Sequence, residues 1–436
     1  MIAVLMAGGK GTRLVGITKD MIPKPMAPLM GKPILQWQIE QLKENGIKEF
    51  ILIVGHLGEA IEAYFGDGSS LGVTIRYYHE ECPLGTAGAL SEILPMLNSE
   101  PFFLGFGDIL FNIDLDRMVA FHKSHEAEIT LFAHPNDHPE DSDVLVLDEN
   151  QRVTDILKKN QPRKNWYDNC VNAGIFIAEP SFCNRIVPGM KTDLEKNVII
   201  PLISEGGAVY GYTSPEYVKD IGTVERIKEA EKALETGMVQ RRNLRLPQRA
   251  VFLDRDGTIN KLNGLVYKDE QLVLEKNAAK AIREINCAGW LAIVITNQPS
   301  VARGLCQVED IERLHRKLQT LLGQQGAYLD AICFCPHHPE KGFPEENLRY
   351  KIPCHCRKPN IGMIEQCVER FHIDLAASWF VGDTTVDIQT GLNAGMHTAM
   401  VRTGEAGGDC KYPVTAEIEA IDLLEAVKQI VYLNKE

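Results

Sequence analysis

The 436-residue sequence contains no apolar run that approaches the roughly 18 residues needed to span a membrane. It also lacks an excess of basic residues, since 46 Lys and Arg stand against 59 Asp and Glu, for a formal net charge of −13. Nucleic acids and anionic membranes require a basic surface, so neither is expected as a partner. Small anionic substrates remain compatible with this net charge, because a cleft can bind them with only local cations and backbone N–H groups.

The sequence also lacks an export signal and a disulfide pattern. Residues 1–7 are apolar, but they have no basic segment or cleavage site and run directly into Gly8-Gly9-Lys10-Gly11, so they are predicted to form a first strand. Eleven cysteines in a long chain without such a signal indicate thiols and metal ligands in a reducing compartment. We therefore expect a cytoplasmic protein. The sequence assigns no oligomeric state.

The length predicts two or three globular domains, and the alternation of short β-like runs with amphipathic helical patterns predicts α/β folds with parallel sheets. The charged helical pattern at 224–235 ends in a polar stretch, which is typical of a linker. We expect domains at 1–238 and 249–436, joined by residues 239–248. The predicted strands are residues 2–6, 50–54, 73–77, 102–106, 250–253, 291–296, 331–334 and 379–382.

The first predicted strand opens into a glycine-rich loop at residues 7–14. Its glycines let backbone N–H groups approach a polyphosphate, while Lys10 and Arg13 offset the negative charge. The residue order matches neither of two known phosphate-binding motifs. A Walker loop needs Gly-Lys-Ser/Thr after four intervening residues, and a dinucleotide-binding motif needs glycine in place of Leu14. By itself, such a loop is equally typical of an ordinary turn in an α/β domain.

Three further residues support a phosphate site in the N-terminal half. Lys24 stands between two prolines that fix its backbone, which suits a point charge directed at a phosphate. Asp108 and Asp220 each follow a β-like run. Two carboxylates, phosphate oxygens and water together form a typical Mg²⁺ site.

These motifs, in this order, resemble the sugar-1-phosphate nucleotidyltransferase family over about residues 1–230. The matching segments are the glycine loop at 8–14, Pro-Lys-Pro at 23–25 and Leu-Gly-Thr-Ala-Gly at 84–88. The resemblance implies a Rossmann-like domain in which a sugar 1-phosphate attacks the α-phosphate of a nucleoside triphosphate and pyrophosphate leaves. Residues 83–90 are more similar to guanylyl than to thymidylyl members, which favours GTP.

The resemblance also implies roles for individual residues. Arg13 and Lys24 would hold phosphates during catalysis, and Asp108 and Asp220 would hold Mg²⁺. Lys159 lies in Lys-Lys-Asn where the family usually has Glu-Lys-Pro, and an isolated lysine is more often solvated. The implied substrate-binding residues are Gly8, Gly9, Gly11, Thr12, Gly85, Thr86, Lys159, Asn172, Gly174 and Glu195.

In the C-terminal half, Asp254 and Asp256 stand two residues apart, directly after the apolar run 250–253. The first can attack phosphorus, while the second protonates the leaving oxygen and then activates water. A carboxylate nucleophile is repelled by a phosphate dianion, so a metal and a lysine are needed nearby.

Candidates for these roles follow the later predicted strands. Asp383 and Asp387 offer metal ligands, with Asp254 and Asp256 completing the expected Mg²⁺ set, and Lys358 offers the charge. Thr296 supplies a catalytic hydroxyl. Each could instead be a helix cap or a turn residue, but their order after successive strands favours a site.

This order resembles the haloacid dehalogenase (HAD) superfamily of phosphatases over about residues 249–436, which implies a second doubly wound α/β domain. Substrate contacts are then expected from Asn297, Arg303 and Arg357.

Cys335, His337, Cys354 and Cys356 have metal-ligand spacing, with 16 residues between the two pairs. Three thiolates and one imidazole close a tetrahedral site, so we expect structural Zn²⁺ that fixes the following Arg-Lys pair. Free buried cysteines are the alternative. Cys333 and His355 are spare candidates for the same ion.

The Cys-x-His and Cys-x-Cys-Arg-Lys-Pro arrangement is similar to heptose 1,7-bisphosphate phosphatases and, with a shorter loop, to histidinol phosphatases. The long spacer favours the heptose enzymes. These tend to read Thr-Asn-Gln-Ser-Gly-Ile-Ala-Arg-Gly, whereas residues 296–304 read Thr-Asn-Gln-Pro-Ser-Val-Ala-Arg-Gly.

We therefore expect a bifunctional enzyme that removes the 7-phosphate of D-glycero-D-manno-heptose 1,7-bisphosphate and converts the heptose 1-phosphate to GDP-heptose. One alternative is a mannose-type nucleotidyltransferase joined to a histidinol-phosphate-type or other sugar phosphatase. Another alternative is a sugar-nucleotide sensor that catalyses no reaction. The intact set of acidic and basic residues argues against it, because a protein that only binds needs no nucleophile.

Overall fold

The computed structural model describes residues 1–9, 22–163 and 165–433. The chain divides into two compact units, and the last change from one to the other occurs between Asn243 and Leu244. Within the described part of the chain, no helix is both long and apolar enough to cross a membrane. The first unit comprises Met1–His134, Leu145–Leu157 and Asn172–Asn243; the second comprises Pro135–Val144, Lys158–Val171 and Leu244–Glu436.

The N-terminal half of the chain forms a nine-stranded mixed sheet with two short two-stranded ribbons. The strands are β1 Ile2–Met6, β2 Pro28–Leu29, β3 Lys32–Pro33, β4 Glu49–Val54, β5 Thr74–His79, β6 Phe102–Phe106, β7 Ile109–Asn112, β8 Ile129–His134, β9 Val144–Leu147, β10 Val153–Leu157, β11 Val171–Ala178, β12 Val209–Thr213 and β13 Tyr217–Asp220. The helices are α1 Ile34–Glu44, α2 Gly58–Phe65, α3 Gly88–Glu92, α4 Leu115–Ser124, α5 Ile200–Ser204, α6 Val224–Glu235 and α7 Met238–Arg241.

The centre of this sheet is parallel and mostly buried. β1 lies between β4 and β6, parallel to both, while β11 runs antiparallel to β6. The apolar run of β1 explains its place, because a strand covered by helices on both faces needs apolar side chains on both faces. β7 pairs antiparallel with β13 in a separate ribbon next to the end of β6.

The C-terminal half forms a six-stranded sheet in the order β16-β15-β14-β17-β18-β19, with every pair parallel. The strands are β14 Ala250–Leu253, β15 Leu291–Asn297, β16 Ala331–Cys335, β17 Trp379–Gly382, β18 His397–Val401 and β19 Ile418–Ala420. The helices are α8 Ala278–Ala288, α9 Val308–Gly323, α10 Gly362–Phe371, α11 Thr385–Asn393 and α12 Leu423–Leu433.

The central strand β14 shows why this sheet is doubly wound. Successive side chains of a strand point to opposite faces, and here Val251 and Leu253 pack into one core while Ala250 and Phe252 pack into another. All four are fully buried. The predicted α/β class is confirmed, and the carboxyl ends of β14, β15 and β17 lie side by side at one edge of the sheet.

Candidate active sites

Three carboxylates converge at the carboxyl edge of the second unit's sheet. Asp254 follows β14, Asp383 follows β17 and Asp387 lies in the first turn of α11; one oxygen from each lies within 4.8 Å of the others. All three are buried. Gly257 has φ +84°, and a Cβ there would lie 2.3 Å from Asp383 Oδ2. The loop after β14 therefore passes so close to these carboxylates that only glycine fits at position 257.

Lys358 supplies the positive charge of this cluster. Its Nζ lies 2.7 Å from Asp254 Oδ1 and 2.6 Å from Asp387 Oδ1. Burial by itself would lower the pKa of Lys358, but the two neighbouring carboxylates raise it overall. The lysine therefore offsets part of the negative charge of the carboxylates around it.

The remaining negative charge fits a divalent cation. Burial, followed by repulsion from the neighbouring carboxylates, raises the pKa of Asp383 to about 8. Burial also raises the pKa of Asp254 to about 6, although Lys358 opposes the change. Asp383 Oδ1 is buried and has no hydrogen-bond partner among the described residues. A buried oxygen without a donor, between acidic neighbours, is the kind of ligand that Mg²⁺ takes, so these residues could hold it.

The structure holds Asp256 apart from this trio of carboxylates. Its oxygens accept hydrogen bonds from Arg255 Nη2 at 2.9 and 3.0 Å, from Asn260 Nδ2 at 2.9 Å and from Gln298 Nε2 at 2.8 Å. The Arg255 side chain is fully buried, and its Nη1 donates to His315 Nε2 at 3.2 Å. Burial and the Arg255 charge hold the pKa of His315 well below its usual value, so the ring accepts as a neutral group.

The predicted phosphate-binding residues Thr296 and Asn297 end β15 beside the same edge. Thr296 is buried, and its Oγ1 accepts a hydrogen bond from Gln298 Nε2 at 3.0 Å. The Asn297 side chain bonds the backbone of Lys358 twice, donating to its carbonyl at 3.2 Å and accepting from its N–H at 3.0 Å. Asn297 therefore fixes the segment that carries the lysine.

The four predicted zinc ligands form one cluster. Cys335 ends β16, and the separations between neighbouring Sγ and Nδ1 atoms of Cys335, His337, Cys354 and Cys356 lie between 3.2 and 3.6 Å. Tetrahedral Zn²⁺ with Zn–S distances of about 2.3 Å places its ligands roughly 3.6–3.8 Å apart. The donor set therefore suits this ion, and the separations are shorter than its ligands require by up to about half an ångström. Arg357, the next residue, donates to the His337 carbonyl at 3.1 Å.

The two spare zinc candidates are engaged elsewhere. Cys333 Sγ lies 3.5 Å from Cys367 Sγ, and His355 Nε2 lies 2.6 Å from Glu365 Oε2. Neither belongs to the cluster of four. Side chains alternate along a strand, so Cys333, two residues before Cys335, shares its face but reaches a different part of it.

In the first unit, Asp108 and Asp220 lie on either side of Lys24. Lys24 Nζ contacts Asp108 Oδ2 and lies 3.7 Å from Asp220 Oδ1, and Asp220 also contacts the Arg226 guanidinium. Antiparallel pairing of β7 and β13 sets this geometry, because the Ile221 N–H donates to the Asp108 carbonyl at 2.8 Å. Two carboxylates around a lysine that is nearly buried could hold Mg²⁺ and a phosphate.

The predicted glycine loop is described only in part. Lys10, Gly11, Thr12 and Arg13 lie outside the described residues. Gly8, with Gly9 following it, comes directly after β1, and a Cβ on Gly8 would lie 2.5 Å from Glu80 Oε2. Burial raises the pKa of Glu80.

Residues 84–88, the segment that matches the family's Leu-Gly-Thr-Ala-Gly motif, pack against the segment that carries Glu195. Gly85 has φ +84°, and a Cβ there would lie 2.5 Å from the Thr192 carbonyl oxygen. Thr86 Oγ1 accepts from the Leu194 N–H at 2.8 Å. The segment Leu194–Ile199 forms a π-helix, which brings Glu195 next to the glycine turn.

The predicted sugar-binding residues Asn172 and Gly174 begin β11. Asn172 Oδ1 accepts from the Gly174 N–H at 3.0 Å, and Gly174, with φ +74°, approaches the ring of Phe106 at the end of β6. They therefore lie near Asp108. Lys159 falls in the second unit, where it is exposed and its N–H donates to Asp143 Oδ1 at 2.8 Å.

Comparison with known proteins relates each half of the chain to an enzyme family. Residues 2–237 match the nucleotidyl transferase family, and residues 355–425 match the HAD-hydrolase-like family. Mannose-1-phosphate guanylyltransferase of Mycobacterium tuberculosis is 35% identical over 224 residues, or 51% of this chain and 61% of that protein. The chain thus spans less than two thirds of that relative.

The C-terminal relatives are covered more fully. D-glycero-beta-D-manno-heptose-1,7-bisphosphate 7-phosphatase of Yersinia pestis is 39% identical over 172 residues, or 39% of this chain and 86% of that protein. The Burkholderia mallei enzyme named for the alpha anomer is 39% identical over 156 residues, or 36% of this chain and 80% of that protein. The chain belongs to the nucleotidyl transferase family and carries a HAD-like phosphatase in its C-terminal half.

Proposed function

We propose that the chain catalyses two consecutive steps of heptose activation. Residues 249–436 remove the 7-phosphate from D-glycero-D-manno-heptose 1,7-bisphosphate. Residues 1–238 then transfer GMP from GTP to the heptose 1-phosphate, giving GDP-heptose and pyrophosphate, and residues 239–248 join the two domains. The observation that carries the proposal is the presence in one chain of two separate clusters, each of which sets acidic side chains around a lysine.

In the phosphatase, Asp254 attacks the 7-phosphorus and the ester P–O bond breaks. Lys358 lowers the repulsion between this carboxylate and the phosphate, and Thr296 binds a phosphate oxygen. Asp256 gives its proton to the leaving sugar oxygen and then removes a proton from the water that hydrolyses the aspartyl phosphate. Bound Mg²⁺, held by Asp254 and Asp383, would offset the charge of the transferring phosphoryl group; the predicted third ligand, Asp256, is engaged by Arg255, Asn260 and Gln298 instead.

In the nucleotidyltransferase, a phosphate oxygen of heptose 1-phosphate attacks the α-phosphorus of GTP, and the bond to the β-phosphate breaks. Lys24 and Arg13 hold the triphosphate, while Asp108 and Asp220 would hold Mg²⁺. Among the contacts to the nucleotide and the sugar, those from described residues come from Gly8, Gly9, Gly85, Thr86, Asn172, Gly174 and Glu195; the predicted Lys159 belongs to the second unit and is left out of this set. Gly11 and Thr12 complete the glycine loop.

The order of the two steps supports joining them in one chain. Dephosphorylation at position 7 yields the sugar 1-phosphate that a nucleotidyltransferase consumes. We propose Zn²⁺ as a structural ion at Cys335, His337, Cys354 and Cys356, and a cytoplasmic location, because the second step consumes a nucleoside triphosphate.

A second candidate differs in the sugar. The N-terminal relative is named for mannose 1-phosphate, so a hexose 1-phosphate is the alternative acceptor. Phosphate release from a panel of sugar bisphosphates, measured with malachite green, separates the two: fastest release from a hexose bisphosphate or from histidinol phosphate would reject the heptose assignment.

The decisive experiment incubates the protein with Mg²⁺, heptose 1,7-bisphosphate and each nucleoside triphosphate in turn, and identifies the product by mass spectrometry. We expect GDP-heptose with GTP. A different nucleotide in the product would correct the base. Release of neither phosphate nor pyrophosphate from any substrate would favour the sensor alternative.

A further inference from the structure

The second unit contains a cavity that is separate from the carboxylate and zinc clusters. Its volume is about 820 Å³, which is typical of pockets for small molecules. Helix α9 forms one wall, and the segment 159–167 forms another. None of the lining residues belongs to the two clusters described above, and all of them belong to the second unit. We call this space the α9 cavity.

Basic side chains outnumber acidic ones around the α9 cavity. Among the described residues that line it, four are basic and two are acidic: Lys159, Arg163, Arg313, Arg316, Glu140 and Asp269. This local excess of positive charge contrasts with the net charge of −13 of the whole chain. A concave surface lined by one sign of charge raises the local concentration of small ions of the opposite sign. The cavity therefore indicates an anionic ligand.

The cations at the α9 cavity are only partly neutralised by the protein. Asp269 Oδ1 accepts from Arg313 Nε at 3.3 Å. The Arg316 side chain, by contrast, donates to no residue in the described part of the chain. The Asp168 carboxylate, which the Arg316 charge influences, accepts from Gln319 Nε2 at 2.7 Å instead. Arg316 therefore keeps guanidinium donors that a ligand can use.

Hydrogen bonds hold the walls of the α9 cavity in place. Trp166 Nε1 donates to Asp269 Oδ2 at 3.2 Å, and the Tyr167 N–H donates to Thr320 Oγ1 of α9 at 3.1 Å. Arg163 Nη1 donates to a backbone carbonyl at 2.8 Å. The segment and the helix are thus joined without a ligand. A preformed pocket binds its ligand at a lower cost in conformational entropy.

We propose that the α9 cavity binds a polyphosphate anion, which is either free pyrophosphate or the phosphate chain of a nucleotide. The cavity is far larger than one phosphate group, and its basic residues come from both walls. A chain of two or three phosphates can contact both walls at once, and guanidinium groups such as that of Arg316 match its oxygens in geometry and charge. The site is independent of both proposed active sites and of the sugar that they use.

The test is isothermal titration calorimetry of the full chain with sodium pyrophosphate, in a buffer without Mg²⁺ and without a chelator. In the absence of Mg²⁺, the carboxylates beside Asp254 and Asp108 repel the probe, so binding reports the α9 cavity. The same affinity is expected in Lys24→Met, which removes the lysine of the proposed triphosphate site. Loss of binding in Lys24→Met would overturn the proposal, because the probe would then occupy that site.

Arg316→Met should raise the Kd for pyrophosphate by about ten- to a hundredfold, because the charge-assisted hydrogen bonds of one side chain are lost. Arg313→Met should also weaken binding, and Arg316→Lys should restore most of the affinity. Arg283→Met, which removes an exposed arginine from α8, is the matched control and should have no effect. The melting temperature verifies the fold of each variant, and Arg313→Met provides the test if Arg316→Met does not fold.

Titrations with GTP and with guanosine distinguish the two sources of the anion. GTP that binds no more tightly than pyrophosphate supports a site for the free anion. Tighter binding of GTP, reduced to the pyrophosphate level by Trp166→Leu, supports a nucleotide whose base stacks on the indole. Absence of binding by either anion, an affinity that Arg316→Met and Arg313→Met leave unchanged, an equal loss in Arg283→Met, or tighter binding of guanosine than of pyrophosphate would each overturn the site.

Discussion

Arg255 is the residue that ties Asp256, the proposed general acid, to the core. It stands between Asp254 and Asp256 in the sequence, is fully buried and donates twice to Asp256. Hydrogen bonds from a charged donor are stronger than those from a neutral one and fix the acceptor more firmly. The arginine therefore sets the orientation of the Asp256 carboxyl group.

Replacing Arg255 with Met should lower the kcat for phosphate release by about ten- to a hundredfold, because Asp256 loses the hydrogen bonds from a charged donor that fix its carboxyl group. Steady-state kinetics of phosphate release measures the change. Arg283→Met removes an exposed arginine from α8 and should leave kcat unchanged. An unaltered kcat in Arg255→Met would show that Arg255 serves only the packing of the loop.

The raised pKa values of Asp254 and Asp383 predict how the site responds to pH. A carboxyl group whose pKa rises on folding stabilises the fold at low pH, and that contribution is lost as the pH rises through the folded value, here about 6 for Asp254 and about 8 for Asp383. Protons compete with Mg²⁺ for the same oxygens.

Mg²⁺ should therefore raise the melting temperature of the C-terminal half more at pH 8.5 than at pH 6. Differential scanning calorimetry with and without Mg²⁺ at both pH values measures the difference. In Asp383→Asn the Mg²⁺ effect should shrink at both pH values. A larger effect at pH 6 in the unchanged protein would contradict the assigned competition.

At the scale of single residues, the sequence predicts the site residues that follow strands. It does not predict the residues that hold those side chains in place. Asp254, Thr296 and Asp383 could be found because parallel strands end at a common edge. The partners of Asp256, namely Arg255 and Gln298, carry no local signal, since the sequence does not reveal that an arginine between two aspartates is buried.

At the scale of elements, the loop after β14 depends on the absence of a side chain at Gly257. Gly257→Ala should abolish most phosphatase activity, because the new Cβ would displace Asp383, whose Oδ2 lies 2.3 Å from its position. Gly264→Ala is the matched control. Gly264 also has positive φ, at +64°, but has open space around its Cβ position, so it bears only the backbone strain, about 1 kcal/mol. Comparable activity losses in the two variants would mean that strain, and not the close approach, decides.

The zinc loop is the second element with a testable role. Removing Zn²⁺ with a chelator should lower the melting temperature of the C-terminal half by about 5–15 °C, if the ion contributes a few kcal/mol, and should stop phosphate release. Pyrophosphate release should persist. Cys354→Ser should reproduce the effect, whereas Cys410→Ser, at an exposed thiol, should not. Parallel loss of both activities would contradict a local role for the ion.

The eight predicted strands all occur, because buried parallel strands are continuous apolar runs; the other strands of the N-terminal half, and β18 and β19, were not predicted. The run at 73–77 occurs as Thr74–His79 and the run at 331–334 as Ala331–Cys335, so the differences are confined to the ends. The β7–β13 ribbon was not predicted as a pair. Its strands are separated by more than a hundred residues, and no local pattern encodes such a pairing.

At the scale of the whole molecule, the two chemistries should be separable. Asp254→Asn should lower phosphate release by about a thousandfold or more, because it removes the nucleophile, while pyrophosphate release from GTP and a supplied sugar 1-phosphate continues. Asp108→Ala should do the reverse. Both assays are run on each purified variant, and loss of both activities from either change would contradict two independent sites.

The division into two α/β halves follows from the sequence, since each half repeats the strand–helix rhythm around its own acidic residues. The assignment of residues 135–144 and 158–171 to the second unit does not. These segments lie in the middle of the nucleotidyl transferase match, and the packing that separates them from it arises only in the folded chain.

Only one residue separates Cys356 from Lys358, and this has a consequence for a living cell. A trace metal bound at the Cys356 thiol would set the position of the Lys358 ammonium group. The proposed removal of phosphate would then depend on how much of that metal the cell contains. During zinc scarcity, unprocessed bisphosphate would accumulate while existing monophosphate was still consumed. The supply of a nutrient would then limit the two proposed reactions at the first of them, without any regulatory ligand.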